Sequence, residues 1–213
     1  MRPWLSIVIP TVGRSSLADT LDAIDHQPAE LLKGVEVLVV GDTHSGMTAG
    51  LHQAREHIET ERAGERYTFL EHDGGQHVVG QPQRTYGAHN ASGEWVAFGQ
   101  DDNVLAHDAL HNLAMATRSG VSELIIFRWL SPWREIIWRW PEFLLGNLDA
   151  DGLVFSRRIA HQVEWGLRYE GDWDAAQQAY ELADHEIDWR ASVLSIARPG
   201  QAERWWLYSS AAA

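Results

Sequence analysis

The stretch Glu94-Trp95-Val96-Ala97-Phe98-Gly99-Gln100-Asp101-Asp102-Asn103 is a short apolar run that ends on two adjacent carboxylates. About four to six apolar residues bounded by glycine are typical of a central strand in an α/β sheet. Ligands bind at the carboxyl ends of strands in open α/β sheets, so the acids stand where a site is expected. The two side chains of an extended chain point in different directions, so one can bind a hard cation while the other holds water or a hydroxyl. The stretch favours a Mg²⁺ or Mn²⁺ site that carries a phosphate, with a strand-closing turn as the competing interpretation.

Composition limits the classes of protein to consider. A chain of 213 residues with 45% hydrophobic content can bury a sizeable core. Its formal net charge of -13 argues against a broad nucleic-acid-binding face. The sequence has no cysteine, which excludes disulfides, thiolate metal sites and a cysteine nucleophile. Residues 1–9 are too short for a signal peptide or a membrane span, so we expect a cytoplasmic protein without an integral span, peripheral membrane association being the alternative.

Strand-like and helical patterns alternate along the chain. Two βα units in succession near the N-terminus predict a parallel sheet. We see no internal repeat, low-complexity linker or domain boundary, so residues 1–208 are predicted to form a single compact domain, followed by a tail at 209–213. Besides the opening stretch, strands are predicted at residues 5–9, 35–40, 67–72, 123–128, 153–158 and 187–196.

A tryptophan-rich segment runs from Trp129 to Trp140 and also contains Trp133, Trp138 and two arginines. Tryptophan and arginine suit the headgroup boundary of a membrane, so a surface-bound amphipathic element is one interpretation. Pro132 and Pro141 would interrupt any long helix. Core packing or a wall that faces an acceptor is therefore the favoured interpretation.

In order and spacing, several segments resemble the family 2 glycosyltransferases of the GT-A fold. Residues 6–11, with Arg14 close behind, look like the family's opening strand, and residues 37–42 resemble its second strand, whose terminal acid contacts the nucleotide base. Arg84 and residues 90–98 are similar to the segment that leads to the acidic metal motif, where Gln100-Asp101-Asp102 falls. The acid before a tryptophan that serves as catalytic base corresponds to Asp172. The resemblance covers most of the chain.

This resemblance implies a fold and an activity. The fold would be an α/β, Rossmann-like three-layer sandwich with a mostly parallel central sheet, its nucleotide-binding half at about 1–103 and its acceptor-side half at about 104–208. The activity would be metal-dependent and inverting transfer of a sugar from a nucleotide-diphosphate donor to an acceptor hydroxyl, with Mn²⁺ or Mg²⁺ as cofactor. The acceptor would be a glycan, a lipid-linked sugar, a protein or a modified nucleic acid. The implied site comprises Asp172 as catalytic base; Pro10, Thr11, Arg14, Asp42, Arg84 and Asp101 for the nucleotide sugar; Asp102 with Asp101 for the metal; and Trp129, Trp133 and Trp173 on the acceptor side.

Three departures from the family pattern keep other functions open. Gln100 stands where the family often has a further acid, residues 195–200 contain no counterpart of a late histidine ligand, and Gly171 replaces an acid beside the base. Glu170 and Asp174 are the nearest substitutes for Asp172 as base. One alternative is a non-catalytic sugar-nucleotide-binding protein with the same fold. The other alternative is a related nucleotidyltransferase. It is disfavoured because the segment after Pro10-Thr11 is not a glycine-rich activating loop with a lysine.

Overall fold

The structure is a computed structural model that describes residues 2–64, 66–75, 79–133 and 135–198. The predicted domain end at residue 208 and the predicted tail at 209–213 lie outside these residues. None of the helices in the described ranges is both long and apolar enough to cross a membrane.

Four parallel strands form one half of the sheet. They are β1 (Leu5–Thr11), β2 (Val35–Asp42), β3 (Tyr67–His72) and β4 (Trp95–Phe98), and their order is β3-β2-β1-β4. Each of the first two strands is followed by a helix, so the predicted pair of βα units is confirmed. Parallel pairing brings the carboxyl ends of all four strands to one edge of the sheet.

The other half of the sheet has mixed directions. It contains β5 (Asn103–Leu105), β6 (Leu124–Leu130), β7 (Ile136–Ile137), β8 (Leu153–Ser156) and β9 (Asp188–Ala197). Strand β8 is antiparallel to both β4 and β6, β9 is parallel to β6, and β5 is antiparallel to β9. Strands β6 and β9 therefore run in the same direction as β1–β4, which confirms the prediction of a mostly parallel sheet.

Helices cover both faces of this sheet. Alternate residues of β1 point to opposite faces, with Ile7 in one apolar cluster and Val8 in the other. The first cluster includes Leu21 and Leu110, and the second includes Ala88 and Ala176. The result is the predicted three-layer arrangement. The helices are α1 (Leu17–Asp25), α2 (Ala29–Leu32), α3 (Ala49–Glu56) with a π-helical turn at His57–Glu61, α4 (Gln81–Asn90), α5 (Ala109–Ser119), α6 (Arg157–Ala160) and α7 (Gly171–Leu182), and a 3₁₀ turn spans Ala150–Gly152.

Two local predictions differ from the structure. The strand predicted at 153–158 ends at Ser156, whose side chain accepts a hydrogen bond from the backbone N–H of Ile159 at 3.3 Å. This cap starts α6 at Arg157, so the continuation of the strand to residue 158 is wrong. Strands β5 and β7 were not predicted, because three and two residues are too few to give a periodic signal.

Two glycines set the depth at which α4 packs on the sheet. A Cβ on Gly87 would lie 2.4 Å from Cγ1 of Val8, so only glycine lets the helix approach β1 this closely. Gly80, which precedes α4, has a φ of 77° and lies against Pro10. The close packing of α4 buries Arg84, which is only 3% exposed.

Candidate active site

The six residues predicted to bind the nucleotide sugar line one cavity at the carboxyl ends of the parallel strands. Thr11 pairs with Gly41, so Thr11 and Asp42 stand at the same edge of the sheet. Oδ1 of Asp42 accepts a hydrogen bond from the backbone N–H of His44 at 3.0 Å. We call this space, of about 250 Å³, the strand-end cavity. It is lined by Pro10, Thr11, Val12, Arg14, Asp42, Val79, Gly80, Gln83, Arg84, Gln100 and Asp101.

Asp101 ties the loop after β1 to the loop after β4. Its Oδ2 accepts hydrogen bonds from Oγ1 of Thr11 at 2.7 Å and from the backbone N–H of Val12 at 3.4 Å. Its Oδ1 lies 2.7 Å from Nη1 of Arg14. Asp101 and Asp102 lie in a turn after β4. The prediction that their side chains point in different directions because the chain is extended there is therefore wrong. Asp101 uses both oxygens within the protein and fixes the shape of the cavity.

Asp102 has one oxygen without a hydrogen-bond partner in the part of the chain that the structure describes. Its Oδ2 lies 3.0 Å from Nε of Arg198 and 3.6 Å from Nη1 of Arg14. Its Oδ1 is buried and has no hydrogen-bond partner among the described residues. A buried acceptor without a partner is costly, and a cation would satisfy it. Asp102 is not among the residues that line the strand-end cavity.

These acids fit a divalent cation that the substrate helps to hold. The described ranges contain no group of three or more histidine, aspartate or glutamate side chains placed to bind a metal. Mg²⁺ is commonly held by about one or two carboxylates together with substrate phosphates, and keeps water on its remaining positions. The unpartnered Oδ1 of Asp102 and Oδ1 of Asp101, which keeps a lone pair beside its contact with Arg14, supply such a minimal set of oxygen donors.

Arg84 lies at the boundary between two cavities. Its Nη1 donates to the carbonyl oxygen of Val79 at 2.7 Å, and its guanidinium lies 5.3 Å from the ring centre of Trp165. Its Nε is buried without a hydrogen-bond partner in the described part of the chain. Burial lowers the pKa of Arg84, while nearby carboxylates, first among them Asp151 and Asp149, raise it. An incompletely paired guanidinium beside a cavity is suited to bind an anion.

A second cavity, of about 480 Å³, adjoins the first and shares Val79, Arg84 and Gln100 with it. We call it the tryptophan cavity. The predicted base and the three predicted acceptor-side residues all line it. Its wall includes Asn103, Trp129, Pro132, Trp133, Leu145, Leu148, Asp149, Tyr169, Glu170, Asp172, Trp173 and Arg198.

Asp172 lies in the first turn of α7 and faces the tryptophan cavity. Its Oδ1 accepts a hydrogen bond from the backbone N–H of Trp173 at 2.8 Å. Burial raises the pKa of Asp172, which this hydrogen bond and the charge of Arg84 partly oppose. A carboxylate with a raised pKa accepts a proton more readily than an ordinary one, as a general base must.

The two substitutes for Asp172 differ in position. Glu170 also lines the tryptophan cavity. Asp174 instead binds Arg168, whose Nε lies 2.7 Å from its Oδ2, and lines a separate surface groove. Among the three acids around Trp173, Asp172 and Glu170 are therefore placed to act in the tryptophan cavity.

Sequence reasoning missed two further carboxylates in this region. Asp149 accepts hydrogen bonds at Oδ1 from Nε2 of Gln100 at 3.2 Å and from the backbone N–H of Asp151 at 3.1 Å. Asp151 is buried and accepts at Oδ2 from Nδ2 of Asn103 at 2.6 Å and from Oγ of Ser195 at 2.7 Å. Burial raises the pKa of Asp149 to about 6 and that of Asp151 to about 7. The signal that could have identified them is an acid-x-acid pair separated from a predicted strand by a single glycine.

The tryptophan-rich segment divides into buried and exposed parts. Trp138 is buried, stacks edge-on against Trp189 with ring centres 4.9 Å apart, and lies beneath the guanidinium of Arg128. Trp133 and Trp140 are 81% and 73% exposed. The segment therefore contributes both to the core and to the surface around the tryptophan cavity.

Searches of protein-family models and of curated proteins found no match to this chain. Solved structures do match. S. aureus TarS 1-349 has a TM-score of 0.70 at 17% identity over 92% of this chain and 60% of that chain. Its complex with UDP-GlcNAc has a TM-score of 0.68 at 14% identity over 98% of this chain and 61% of that chain. The mannosyltransferase PcManGT from Pyrobaculum calidifontis, in complex with GDP-Man and Mn²⁺, has a TM-score of 0.65 at 17% identity over 95% of this chain and 59% of that chain.

These likenesses concern the fold. Together with the strand order described above, they confirm the predicted Rossmann-like GT-A class. The chain spans about 60% of the length of the TarS 1-349 fragment and about 60% of the length of PcManGT.

Proposed function

We propose that this chain is a metal-dependent, inverting glycosyltransferase of the family 2 type that moves a sugar from a nucleoside diphosphate to an acceptor hydroxyl. The observation that carries the proposal is the junction of the two cavities. The residues predicted to hold the nucleotide line one cavity, the predicted base lines the other, and Arg84 and Gln100 belong to both. A nucleotide sugar that enters the strand-end cavity would therefore direct its sugar toward Asp172.

Each side of the site has a separate task in this scheme. Asp42 accepts a hydrogen bond from the base or from a ribose hydroxyl, and Arg84 supplies positive charge toward the diphosphate. Asp102, with Asp101 beside it, would hold Mn²⁺ or Mg²⁺. When bound, that ion neutralises the negative charge that develops on the leaving phosphate oxygens. The Mn²⁺ and GDP-Man complex of the mannosyltransferase PcManGT and the UDP-GlcNAc complex of TarS support this assignment of the ligand class.

Transfer requires one proton acceptor and no covalent intermediate. The acceptor hydroxyl attacks the anomeric carbon, its proton passes to Asp172, and the bond from that carbon to the phosphate oxygen breaks. The released nucleoside diphosphate retains the electron pair of that bond. Because attack and departure take place on opposite faces of the sugar, the configuration at the anomeric carbon is inverted.

The acceptor would occupy the tryptophan cavity. Trp129, Trp133 and Trp173 line this cavity, and aromatic rings stack on sugar rings and on nucleobases. A glycan, a lipid-linked sugar, a protein or a modified nucleic acid would each supply a suitable hydroxyl. We place the protein in the cytoplasm, with a peripheral membrane location if the acceptor is lipid-linked.

Calorimetric titration with UDP and GDP, with and without Mn²⁺, tests the proposal. We expect at least one of the two nucleotides to bind, and Mn²⁺ to increase its affinity by about tenfold or more, since Asp102 and Asp101 would hold the ion and its charge would offset that of the phosphates. Asp102→Asn should remove most of the Mn²⁺ effect, whereas Glu142→Gln, which neutralises an exposed acid, should leave it unchanged. Failure of both nucleotides to bind in the presence of Mn²⁺ would contradict the proposal.

A further inference from the structure

We infer that Asp149 binds hydroxyl groups of the donor's sugar ring, and that the site therefore selects neutral hexoses and N-acetylhexosamines over uronic acids. This inference rests on the proposed function and specifies its substrate class. It assigns a binding role to a residue that the sequence patterns did not identify.

The position of Asp149 is the first argument. Its carboxylate lines the tryptophan cavity together with Asp172, and accepts a hydrogen bond from Gln100, which belongs to the walls of both cavities. A single displacement needs the anomeric carbon between the leaving phosphate oxygen and the acceptor oxygen beside the base. The sugar ring must therefore lie between the junction at Gln100 and Asp172. Asp149 is close to both, since it accepts a hydrogen bond from Gln100 and the charge of Asp172 helps to raise its pKa.

The second argument is that Asp149 is held rigidly and has one oxygen available. Its Oδ1 is engaged by Gln100 and by the backbone N–H of Asp151, at the start of the 3₁₀ turn. The neighbouring residues Leu148 and Ala150 are buried in the apolar core. Both of these hydrogen bonds go to Oδ1 and leave Oδ2 for a ligand. A fixed, charged acceptor facing a cavity is suited to bind sugar hydroxyls, which are hydrogen-bond donors.

The third argument is the charge around the sugar position. Asp149, Glu170 and Asp172 all line this cavity. Among the described residues that line the cavity, Arg198 is the cation besides Arg84, and its Nε is paired with Oδ2 of Asp102 at 3.0 Å. If the diphosphate uses Arg84, the carboxylate of a uronic acid would meet these acids without an unpaired cation among the described residues of the wall. Neutral hydroxymethyl or N-acetyl groups carry no such penalty.

Titration calorimetry on Asp149 variants tests this inference. The probes are free UDP and GDP, three neutral donors (UDP-glucose, UDP-GlcNAc and GDP-mannose) and UDP-glucuronate, all with Mn²⁺. For wild type we expect at least one neutral donor to bind more tightly than UDP-glucuronate by about tenfold, since like charges in a partly buried site are costly. Asp149→Ala should reduce the affinity for that neutral donor by about tenfold, and should change the affinity for the corresponding free nucleotide by less than about twofold.

Asp149→Asn provides an isosteric test that preserves the packing. It keeps an acceptor for Gln100 and removes the negative charge, so it should reduce the discrimination against UDP-glucuronate. Glu142→Gln, an equal change of charge on the same loop, is the matched control and should alter neither affinity. Asp149→Ala could instead reduce the affinities for the free nucleotide and for the neutral donor equally, or reduce neither. In that case the role proposed for Asp149 is wrong while the proposed function stands. Failure of wild type to bind any nucleotide overturns the proposed function itself.

Discussion

The strand-end cavity and the tryptophan cavity are built from different kinds of structure. Most of the predicted ligands in the strand-end cavity stand at or just after the ends of parallel strands, as Thr11, Asp42 and Asp101 do. The tryptophan cavity is built mainly from the long connection between β6 and β8 and from residues at and just before the start of α7. The strand order of the sheet determines the position of the strand-end cavity, whereas the packing of loops on the sheet determines the position of the tryptophan cavity. The two therefore call for separate tests, since changes in one should leave binding in the other intact.

The largest expected effect separates chemistry from donor binding. Asp172→Asn removes the proton acceptor, so the rate of transfer should fall by about 10²–10⁴-fold. The affinity for the nucleotide should remain within about twofold of wild type, because Asp172 does not line the strand-end cavity. Rates of nucleotide release and calorimetric titration measure the two quantities.

A matched control for this change lies two residues away. Asp174→Asn alters an acid of the same helix that is paired with Arg168 outside the tryptophan cavity, so transfer should be nearly unchanged. If Asp172→Asn transfers sugar at the wild-type rate, the base is another residue, and Glu170 is the next to test.

Arg84 tests the junction that both cavities share. Arg84→Met keeps an apolar stem against Trp165 and removes the positive charge, so nucleotide affinity should fall by about 10–100-fold. Calorimetry with UDP and GDP measures the loss, and Arg168→Met, at an exposed arginine, is the control. An unchanged affinity would mean that Arg84 serves only to neutralise the surrounding carboxylates.

The acids beneath the tryptophan cavity predict a dependence of stability on pH. Burial raises the pKa of Asp151 from 3.8 to about 7, so the folded protein binds this proton more tightly than the unfolded chain does. The stabilising contribution of the protonated acid is complete below the unfolded pKa and is lost as the pH rises through about 7. The raised pKa of Asp149 makes stability depend on pH in the same direction. The charge of Arg84 lowers the pKa of both acids and so reduces the dependence.

Asp151→Asn should remove the contribution of Asp151 to this dependence. The amide cannot ionise, and its oxygen can still accept from Asn103 and Ser195. We expect the variant to be more stable than wild type at pH 8 by on the order of 1–2 kcal/mol, and to lose that advantage at pH 5. Urea unfolding at the two pH values measures the difference. An advantage of equal size at both would show that ionisation of Asp151 is not its cause.

The smallest expected effect concerns the surface of the tryptophan cavity. Trp133 is 81% exposed, so Trp133→Ala should change the free energy of unfolding by less than about 0.5 kcal/mol. If the ring stacks on the acceptor, the KM for the acceptor should rise several-fold while the affinity for the nucleotide stays the same. A KM equal to that of wild type would place the acceptor elsewhere on the cavity wall.

The contrast between the cavities also explains what could be predicted from the sequence. Apolar runs that end in acids or small polar residues locate β1, β2 and β4, and parallel pairing then gathers their ends at one edge. Asp149 lies on a connection with no repeating pattern, and its place beside Gln100 depends on how that connection packs across the sheet. The same holds for Arg198, which reaches Asp102 from a position 96 residues later in the chain.

The configuration of the released sugar tests the central claim most directly. Nucleotide-sugar donors incubated with the protein and Mn²⁺ can transfer their sugar to water, and proton NMR identifies the anomer first formed. A single displacement assisted by Asp172 predicts the anomer opposite to that of the donor, at a rate that falls sharply in Asp172→Asn. Release of a sugar with the donor's own configuration, or a rate that is unchanged in Asp172→Asn, would contradict the account.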